Sequence, residues 1–217
     1  MWKALYDSPF WLPILPSLIA LGLVGAALRG TFVRSRILTC FAVGTALLAA
    51  ADGWLGGPWS PLAPDSAAAT AAGVFFVIAG DLRYFLATRL GKVSPARALS
   101  RATALAFVMP LVSQLAVRVP FPQAPARVVY FTYELGMIVV VLLDALRAPR
   151  DAASRALLRY ELVQYALWAS ADLVLLAGVE SGYGLRIVPN VLYYAGFVPF
   201  AASVVRARFP ATPPASE

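Results

Sequence analysis

Apolar residues fill seven long stretches of the chain, and short polar segments separate these stretches. A helix needs about 20 predominantly apolar residues to cross the hydrocarbon core of a bilayer, and each stretch reaches or approaches that length. The pattern therefore predicts an all-α, polytopic membrane protein that forms a single domain over residues 1–217. We expect seven transmembrane helices, at 10–28, 37–56, 68–88, 101–118, 128–146, 156–178 and 185–205.

The composition agrees with this prediction, because 60% of the residues are hydrophobic and only 13% are charged. The net charge of +7 comes from arginines in short loops, so we expect contacts with membrane lipids and not with nucleic acid. The chain has no histidine and one cysteine, Cys40. This excludes Ser-His-Asp and Cys-His catalysis, an intramolecular disulfide and the common histidine metal sites. We expect neither a metal nor another cofactor.

The charge of the loops predicts the orientation of the bundle. Basic residues concentrate at 29–36, 89–101 and 147–159 and after the last span, whereas the alternate loops carry fewer charges. Basic loops stay in the cytoplasm, which predicts an external amino terminus and a cytoplasmic carboxyl terminus in a bacterial-type inner membrane. A signal peptide is the alternative for 10–28, but no small-x-small cleavage site follows before Arg29, which favours a helix.

An internal repeat relates the two halves of the chain. The segment ALLAAADGWL at 46–55 matches ALWASADLVL at 166–175 in six of ten positions, at an offset of 120 residues. We therefore predict a parallel 3+1+3 arrangement, with one repeat at 10–88, a linker helix at 101–118 and a second repeat at 128–205. Asp52 and Asp172 fall at equivalent positions, about 25 Å along their helices from the cytoplasmic side. They could face each other across the repeat axis, or each could cap the outer end of its helix.

Other polar groups lie inside the predicted spans, where such residues are rare and face a cavity or a partner. Asp81 and Arg83 are two residues apart, so they do not share a helix face, and we expect each to find its partner on another helix. A polar stripe at spacings of three and four contains Glu161, Gln164, Tyr165, Trp168 and Asp172.

Further polar and aromatic residues lie in the outer part of two other spans. These are Glu134 in the fifth span and Asn190, Tyr193 and Tyr194 in the last. Packing between helices and an interfacial aromatic belt are the alternatives to a function. So many polar groups in one half of a bundle favour a hydrated cavity, because unpaired polar groups are costly in hydrocarbon.

Four segments resemble the YhhN-type lysoplasmalogenases, which are multi-pass membrane proteins. AAADGWL at 49–55 resembles that family's Gly-Asp-x-x-Leu motif, and ASADLVLLAG at 169–178 resembles its Ser-Asp-x-x-Leu-Ala helix. FFVIAGDLRYFLA at 75–87 and NVLYYAGFVPF at 190–200 resemble two further helices in the same order. The chain departs from the family where Asp81 replaces a histidine and Phe197 replaces a glutamine.

The resemblance implies hydrolysis of the vinyl ether of a lysoplasmalogen to a fatty aldehyde and a glycerophospho-alcohol. Asp52 and Asp172 would be the paired carboxyl groups, one protonating the vinyl ether and the other activating water, with Asp81 taking part. Tyr84 and Tyr194 would line the pocket, and the other substrate-binding candidates are Glu134, Gln164, Trp168, Asn190 and Tyr193.

Three other classes of protein are alternatives to a hydrolase, and the sequence excludes one of them. A small-molecule or proton-coupled transporter of PQ-loop type would use the buried carboxylates as a proton relay. A non-catalytic subunit would turn its polar stripe toward a partner, so a homo-oligomer or a larger membrane assembly stays open. A retinal protein is excluded, because the only lysines, Lys3 and Lys92, lie at loops and cannot form a Schiff base in the last helix.

Overall fold

The computed structural model describes residues 1–29, 35–64, 66–147 and 151–209, and this part of the chain contains helices and no strand. Nine α-helices follow one another along it. They are α1 (Trp2–Tyr6), α2 (Leu15–Leu28), α3 (Arg36–Gly56), α4 (Ala67–Arg89), α5 (Pro95–Arg118), α6 (Ala126–Arg147), α7 (Ala152–Leu176), α8 (Ser181–Val191) and α9 (Phe197–Val205).

Six helical segments of the described chain are long enough and apolar enough to cross a membrane. They are Trp2–Leu28, Arg36–Gly56, Ala67–Arg89, Pro95–Arg118, Ala126–Arg147 and Ser181–Arg208. The seventh long helix, α7, has 25 residues but buries Glu161, Gln164 and Asp172 along its length. These findings confirm an all-helical chain with the apolar helices of a multi-pass membrane protein.

Residues at the first turn explain why two helices, α5 and α7, begin earlier than the apolar pattern predicts. The pattern predicts helices from 101 and 156, but α5 begins at Pro95 and α7 at Ala152. Pro95 suits the first turn of a helix because its missing N–H would have no partner there. Asp151 accepts a hydrogen bond from the backbone N–H of Ser154, at 2.7 Å, and thereby satisfies one of the free donors of α7. A polar first turn thus extends a helix beyond its apolar stretch.

Prolines interrupt the first and the last predicted spans. A π-helical turn over Phe10–Ile14, which contains Pro13, precedes α2. A second π-helical turn, over Leu192–Gly196, joins α8 to α9 and lies between Pro189 and Pro199. Proline cannot donate the backbone hydrogen bond of a helix, so local departures from the α-helical pattern are expected near it. Both spans are therefore composite helices.

Charged side chains tie several helices together at one end of the bundle, which we call the basic end. Arg89 of α4 binds Asp144 of α6 through two hydrogen bonds, of 2.5 and 3.3 Å. Arg208 donates from Nε and Nη2 to the two carboxylate oxygens of Asp151, each at 2.8 Å. It also donates to the backbone oxygens of Ala87 and Leu90. Successive helices alternate in direction, so Gly56, Arg127 and Leu176 lie at the opposite end.

Parts of the predicted basic loops, 30–34 and 148–150, as well as Asp65 and the chain after residue 209, lie outside the described residues. The described part of those loops carries the contacts of the basic end. Asp144, near the end of α6, pairs with Arg89, the last residue of α4.

Asp151 makes a testable contribution to stability at the basic end. Burial alone raises the pKa of Asp151, but hydrogen bonds from Arg208 and Ser154 outweigh it and hold the pKa below its ordinary value of 3.8. The carboxylate is therefore stabilising above about pH 4, and its contribution is lost as the pH falls through the depressed pKa. We expect Asp151→Ala to lower the free energy of unfolding by about 1 kcal/mol at pH 7.

Thermal unfolding in detergent measures this effect. The destabilisation should shrink as the pH is lowered below the ordinary pKa of an aspartate, because the unfolded chain then gains a proton that the folded carboxylate binds only at a lower pH. Asp7→Ala is the control, since Asp7 is an exposed aspartate that pairs only with Lys3. Equal melting temperatures for wild type and Asp151→Ala at pH 7 would contradict the assigned role.

Candidate functional site

Asp52 lines a small pocket between α3 and α4, four residues before the end of α3. The pocket has a volume of about 10 Å³, which is room for about one water molecule. Asp52 Oδ2 accepts a hydrogen bond of 2.9 Å from the hydroxyl of Tyr194. Arg83 and Tyr193 line the same pocket, so a carboxyl group, a guanidinium and a phenol meet at a space of water size.

Gly80 allows Tyr193 to enter this pocket. A Cβ at position 80 would lie 2.9 Å from two ring atoms of Tyr193 and closer still to its hydroxyl. The ring also stacks against the guanidinium of Arg83, whose central carbon lies 3.7 Å from the ring centroid. Arg83 contacts the ring of Phe197 on another side, at 4.3 Å. A small residue on α4 is thus required for the arginine and tyrosine to pack face to face.

The π-helical turn supplies the hydrogen-bond acceptor for Arg83. Within this turn the backbone N–H of Phe197 donates to the carbonyl of Leu192 instead of that of Tyr193. The Tyr193 carbonyl can then accept a hydrogen bond of 2.5 Å from Arg83 Nη1. The Leu192 carbonyl also accepts one, of 2.8 Å, from the hydroxyl of Tyr160. The turn thereby opens the backbone of the last span to side chains of α4 and α7.

Asp81 lies in a second cluster, which joins α4 to α6 and α7. Its Oδ1 accepts hydrogen bonds from the hydroxyls of Tyr133, at 2.6 Å, and Tyr165. The two hydroxyls are 3.0 Å apart. Asp81 and Arg83 therefore find partners on different helices, as their spacing predicts. Asp81 Oδ2 is buried and has no hydrogen-bond partner among the described residues.

Several other buried polar atoms near these clusters also have no partner in the described part of the chain. They include Arg83 Nε and Nη2, Glu161 Oε2 and both amide atoms of Gln164. Arg83 and Asp81 interact electrostatically with Glu161, so these groups form one neighbourhood. Buried polar groups in proteins are normally satisfied by protein or by internal water. The pattern marks a polar interior between α4 and α7.

The polar stripe of α7 faces this interior. Glu161, Gln164, Tyr165 and Asp172 are buried, as the sequence spacing predicts. Trp168 is partly buried and donates through Nε1 to the side-chain oxygen of Asn190 on α8, at 2.9 Å. Tyr84 is also buried, but it packs against Phe85 and is not among the residues that line the Asp52 pocket.

Asp172 belongs to a third cluster, at the opposite end of the bundle from Arg89. Its Oδ1 binds Arg127 of α6, at 3.0 Å, and Arg186 of α8. Arg186 also lies 3.5 Å from Glu134 Oε1. The side chains of Asp172 and Glu134 are 0% and 3% exposed, against 12% for Arg186 and 28% for Arg127. Two buried carboxyl groups thus depend chiefly on one nearly buried arginine.

The structure gives the two repeat-related aspartates separate partners. Asp52 contacts Tyr194 and shares its pocket with Arg83, whereas Asp172 contacts Arg127 and Arg186. The sequence predicts Asp52, Asp81 and Asp172 as one catalytic set, but each lies in its own cluster. The two arginines that bind Asp172 are not among the predicted site residues. They lie on α6 and α8, and their pairing depends on the contacts of three helices.

No group of three or more His, Cys, Asp or Glu side chains that could hold a metal ion occurs among the described residues. Comparisons of the chain with models of protein families, with curated proteins and with solved structures find no match. The geometry of the three clusters is therefore the basis for assigning a function.

Arg186 should be essential for stability. Replacing Arg186 by Gln leaves Glu134 and Asp172 buried without their shared cation, and breaking a buried ion pair in this way costs about 3–5 kcal/mol. Arg127→Gln should lower the free energy of unfolding much less, because Arg127 is more exposed and Arg186 still compensates the charge of Asp172. The melting temperatures of the two variants in detergent measure the difference.

A second substitution tests the cause of the effect. Glu134→Gln in the Arg186→Gln background removes the carboxylate that keeps no ion pair among the described residues, so it should recover part of the lost stability. Equal melting temperatures for Arg186→Gln and Arg127→Gln would contradict this account of the cluster.

Proposed function

We propose that the chain is a membrane-embedded hydrolase that cleaves the vinyl ether of a lysoplasmalogen, with Asp52 as its acid–base residue. The observation that carries the proposal is the pocket of water size beside Asp52 and Arg83, with Asp52 held by a hydrogen bond from Tyr194. A hydrolase must hold one water molecule next to a group that can exchange protons with it. The resemblance of four segments to lysoplasmalogenases supplies the substrate class.

The depth of Asp52 suits a bond close to the headgroup of a lipid. Asp52 lies four residues before the end of α3, which corresponds to about 6 Å along the helix. The vinyl ether of a lysoplasmalogen is attached to its glycerol, just beneath the polar headgroup. A carboxyl group about one helical turn below the end of a span is therefore level with that bond.

The lining of the pocket suits entry from the lipid side. Leu48 lines the pocket and is also exposed on the surface of α3. Phe75 is exposed on α4, next to the lining residue Phe76. An acyl chain lying along these two apolar side chains would bring its ether group to Asp52 without crossing the bundle.

The proposed reaction needs one proton donor and one water molecule. Asp52 donates a proton to the vinyl carbon remote from the ether oxygen, and the double-bond electrons form the new C–H bond. Water adds to the resulting oxocarbenium carbon and returns a proton to Asp52. The hemiacetal then releases the glycerol oxygen as an alcohol and leaves a fatty aldehyde. Arg83 compensates the Asp52 carboxylate while its proton is on the substrate.

The Asp172 cluster has the charges to hold a zwitterionic headgroup. Arg127 and Arg186 are complementary to a phosphate, and Glu134 and Asp172 are complementary to an ammonium group. In this proposal Asp172 binds and positions the substrate, while Asp81, with its two tyrosines, supports Arg83 from the interior side. Trp168, Asn190, Tyr193 and Tyr194 lie on the helices between the two clusters.

We also infer the parallel 3+1+3 duplication, the external amino terminus and a place in a bacterial-type inner membrane. The gathering of Arg89, Lys92 and Arg208 at one end of the bundle supports a cytoplasmic basic end. The equivalent positions of Asp52 and Asp172, each four residues before the end of its helix, support the duplication.

Aldehyde release from a lysoplasmalogen by the purified protein tests the proposal. Asp52→Asn should lower the rate by about a hundredfold or more, because it removes the transferable proton. Tyr194→Phe should lower it by about tenfold, because it removes the hydrogen bond that orients the carboxyl group. Asp7→Asn is the matched control, since it makes the same change at an exposed carboxylate and should leave the rate unchanged.

Proton-coupled transport is the second candidate, and the buried polar atoms without partners favour it. They extend from Asp81 and Arg83 through Glu161 and Gln164 to the Asp172 cluster. The transporter would be supported, and the hydrolase contradicted, if the folded wild type releases no aldehyde but carries protons into liposomes. In that case Asp81→Asn should abolish the proton flux. Aldehyde release that survives Asp52→Asn would contradict the assigned role of Asp52.

A further inference from the structure

A second and larger pocket lies at the basic end of the bundle, whereas Asp172 lies at the opposite end. It has a volume of about 470 Å³ and lies between the end of α4, the first half of α5 and the end of α6. None of the residues of the Asp52 pocket lines it. The proposed hydrolase does not use this pocket, so its chemistry is a separate question.

Four cations and one carboxylate line this pocket. The cations are Arg89, Lys92, Arg101 and Arg147, and the carboxylate is Asp144. Asp144 is already paired with Arg89 through two hydrogen bonds, so the pocket keeps a net charge of about +3 at neutral pH. This excess favours an anion with several oxygen acceptors.

Two of the four cations are available to such an anion. Arg101 and Arg147 are exposed and form no hydrogen bond or ion pair with another described residue. They come from different helices, α5 and α6, and so border the pocket from two sides. Arg89 is held in place by Asp144, by Thr88 and by the carbonyl of Phe85. A fixed arginine and two free ones thus surround a single space.

An apolar surface continues from the pocket along α5. Arg101, Ala104, Val108, Leu111 and Leu115 follow one another at spacings of three and four, which places them on one face of the helix. Val108, Leu111 and Leu115 are exposed. The cationic pocket is therefore the end of an apolar strip about 20 Å long, from position 101 to position 115.

The outer face of α6 has the same arrangement. Val139, Leu142, Leu143 and Leu146 are exposed and lead to Arg147 at the end of the helix. Two apolar strips that end at a shared cationic pocket match an amphiphile with an anionic head and hydrocarbon chains. A small soluble anion would use the cations but not the strips.

We propose that this pocket is a binding site for the phosphate headgroup of an anionic phospholipid. The phosphate lies between Arg101 and Arg147, and the acyl chains lie along the exposed faces of α5 and α6. Arg89 and Lys92 line the inner wall and add positive charge. The site holds a structural lipid of the surrounding leaflet, independently of the substrate of the Asp52 pocket.

Thermal unfolding of the delipidated protein in detergent tests the site. Phosphatidylglycerol should raise the melting temperature of the wild type more than phosphatidylcholine does. The Arg101→Gln/Arg147→Gln double variant should need about tenfold more phosphatidylglycerol for the same rise. Lipid binding measured by native mass spectrometry should weaken by a similar factor.

A matched double variant separates a site from general attraction. Arg29→Gln/Arg36→Gln removes the same net charge at two exposed arginines outside the pocket, one just after α2 and one at the first position of α3. This variant should keep the wild-type response. Arg101→Lys preserves the charge and should keep most of the rise in melting temperature. That result would show that the weaker response of the double variant does not come from misfolding.

Three results would overturn the proposal. Equal loss of response in both double variants would mean that phosphatidylglycerol is attracted by net charge alone. An equal rise with inorganic phosphate or glycerol 3-phosphate would identify a soluble anion as the ligand. Equal stabilisation by phosphatidylcholine and phosphatidylglycerol would mean that the headgroup charge is not recognised.

Discussion

Arg83 carries a permanent positive charge into the interior of the bundle, and the arrangement of four helices follows from satisfying it. A charged group in an apolar interior is costly unless partners surround it. Arg83 stacks against the rings of Tyr193 and Phe197 and donates to the Tyr193 carbonyl. Its charge also acts on Glu161 and on Asp52. Each partner comes from another helix, so the burial of one arginine ties α4 to α3, α7 and the last span.

The irregular backbone of the last span is part of the same arrangement. In a regular helix the Tyr193 carbonyl would also accept the backbone N–H of Phe197, so Arg83 would share its acceptor. The π-helical turn between Pro189 and Pro199 releases this carbonyl, and Gly80 leaves the space for the ring beside it. Backbone irregularities of this kind are common at functional sites in helices. The Asp52 pocket thus depends on a local departure from α-helical geometry.

Much of this architecture can be predicted from the sequence, and what cannot be predicted has a physical cause. Helical spacing shows which residues share a face, so the stripe of α7 and the separate partners of Asp81 and Arg83 could be predicted. The same spacing says nothing about which neighbouring helix supplies a partner. Arg127 and Arg186 were therefore missed as the partners of Asp172, because they lie on other helices, one before α7 in the chain and one after it. The π-helical turn was missed because hydrophobic periodicity does not register a single widened turn.

The polarity of α7 has a consequence for how the protein enters a membrane. An aspartate at the centre of a single inserting helix costs about 2.5–3.5 kcal/mol during translocon-mediated insertion, and α7 carries Glu161 and Gln164 as well as Asp172. The cations that compensate Asp172 belong to α6, which is synthesised before α7, and to α8, which is synthesised after it. We therefore expect α7 to enter the lipid phase together with α6 and α8, its neighbours in sequence, rather than as an independent segment.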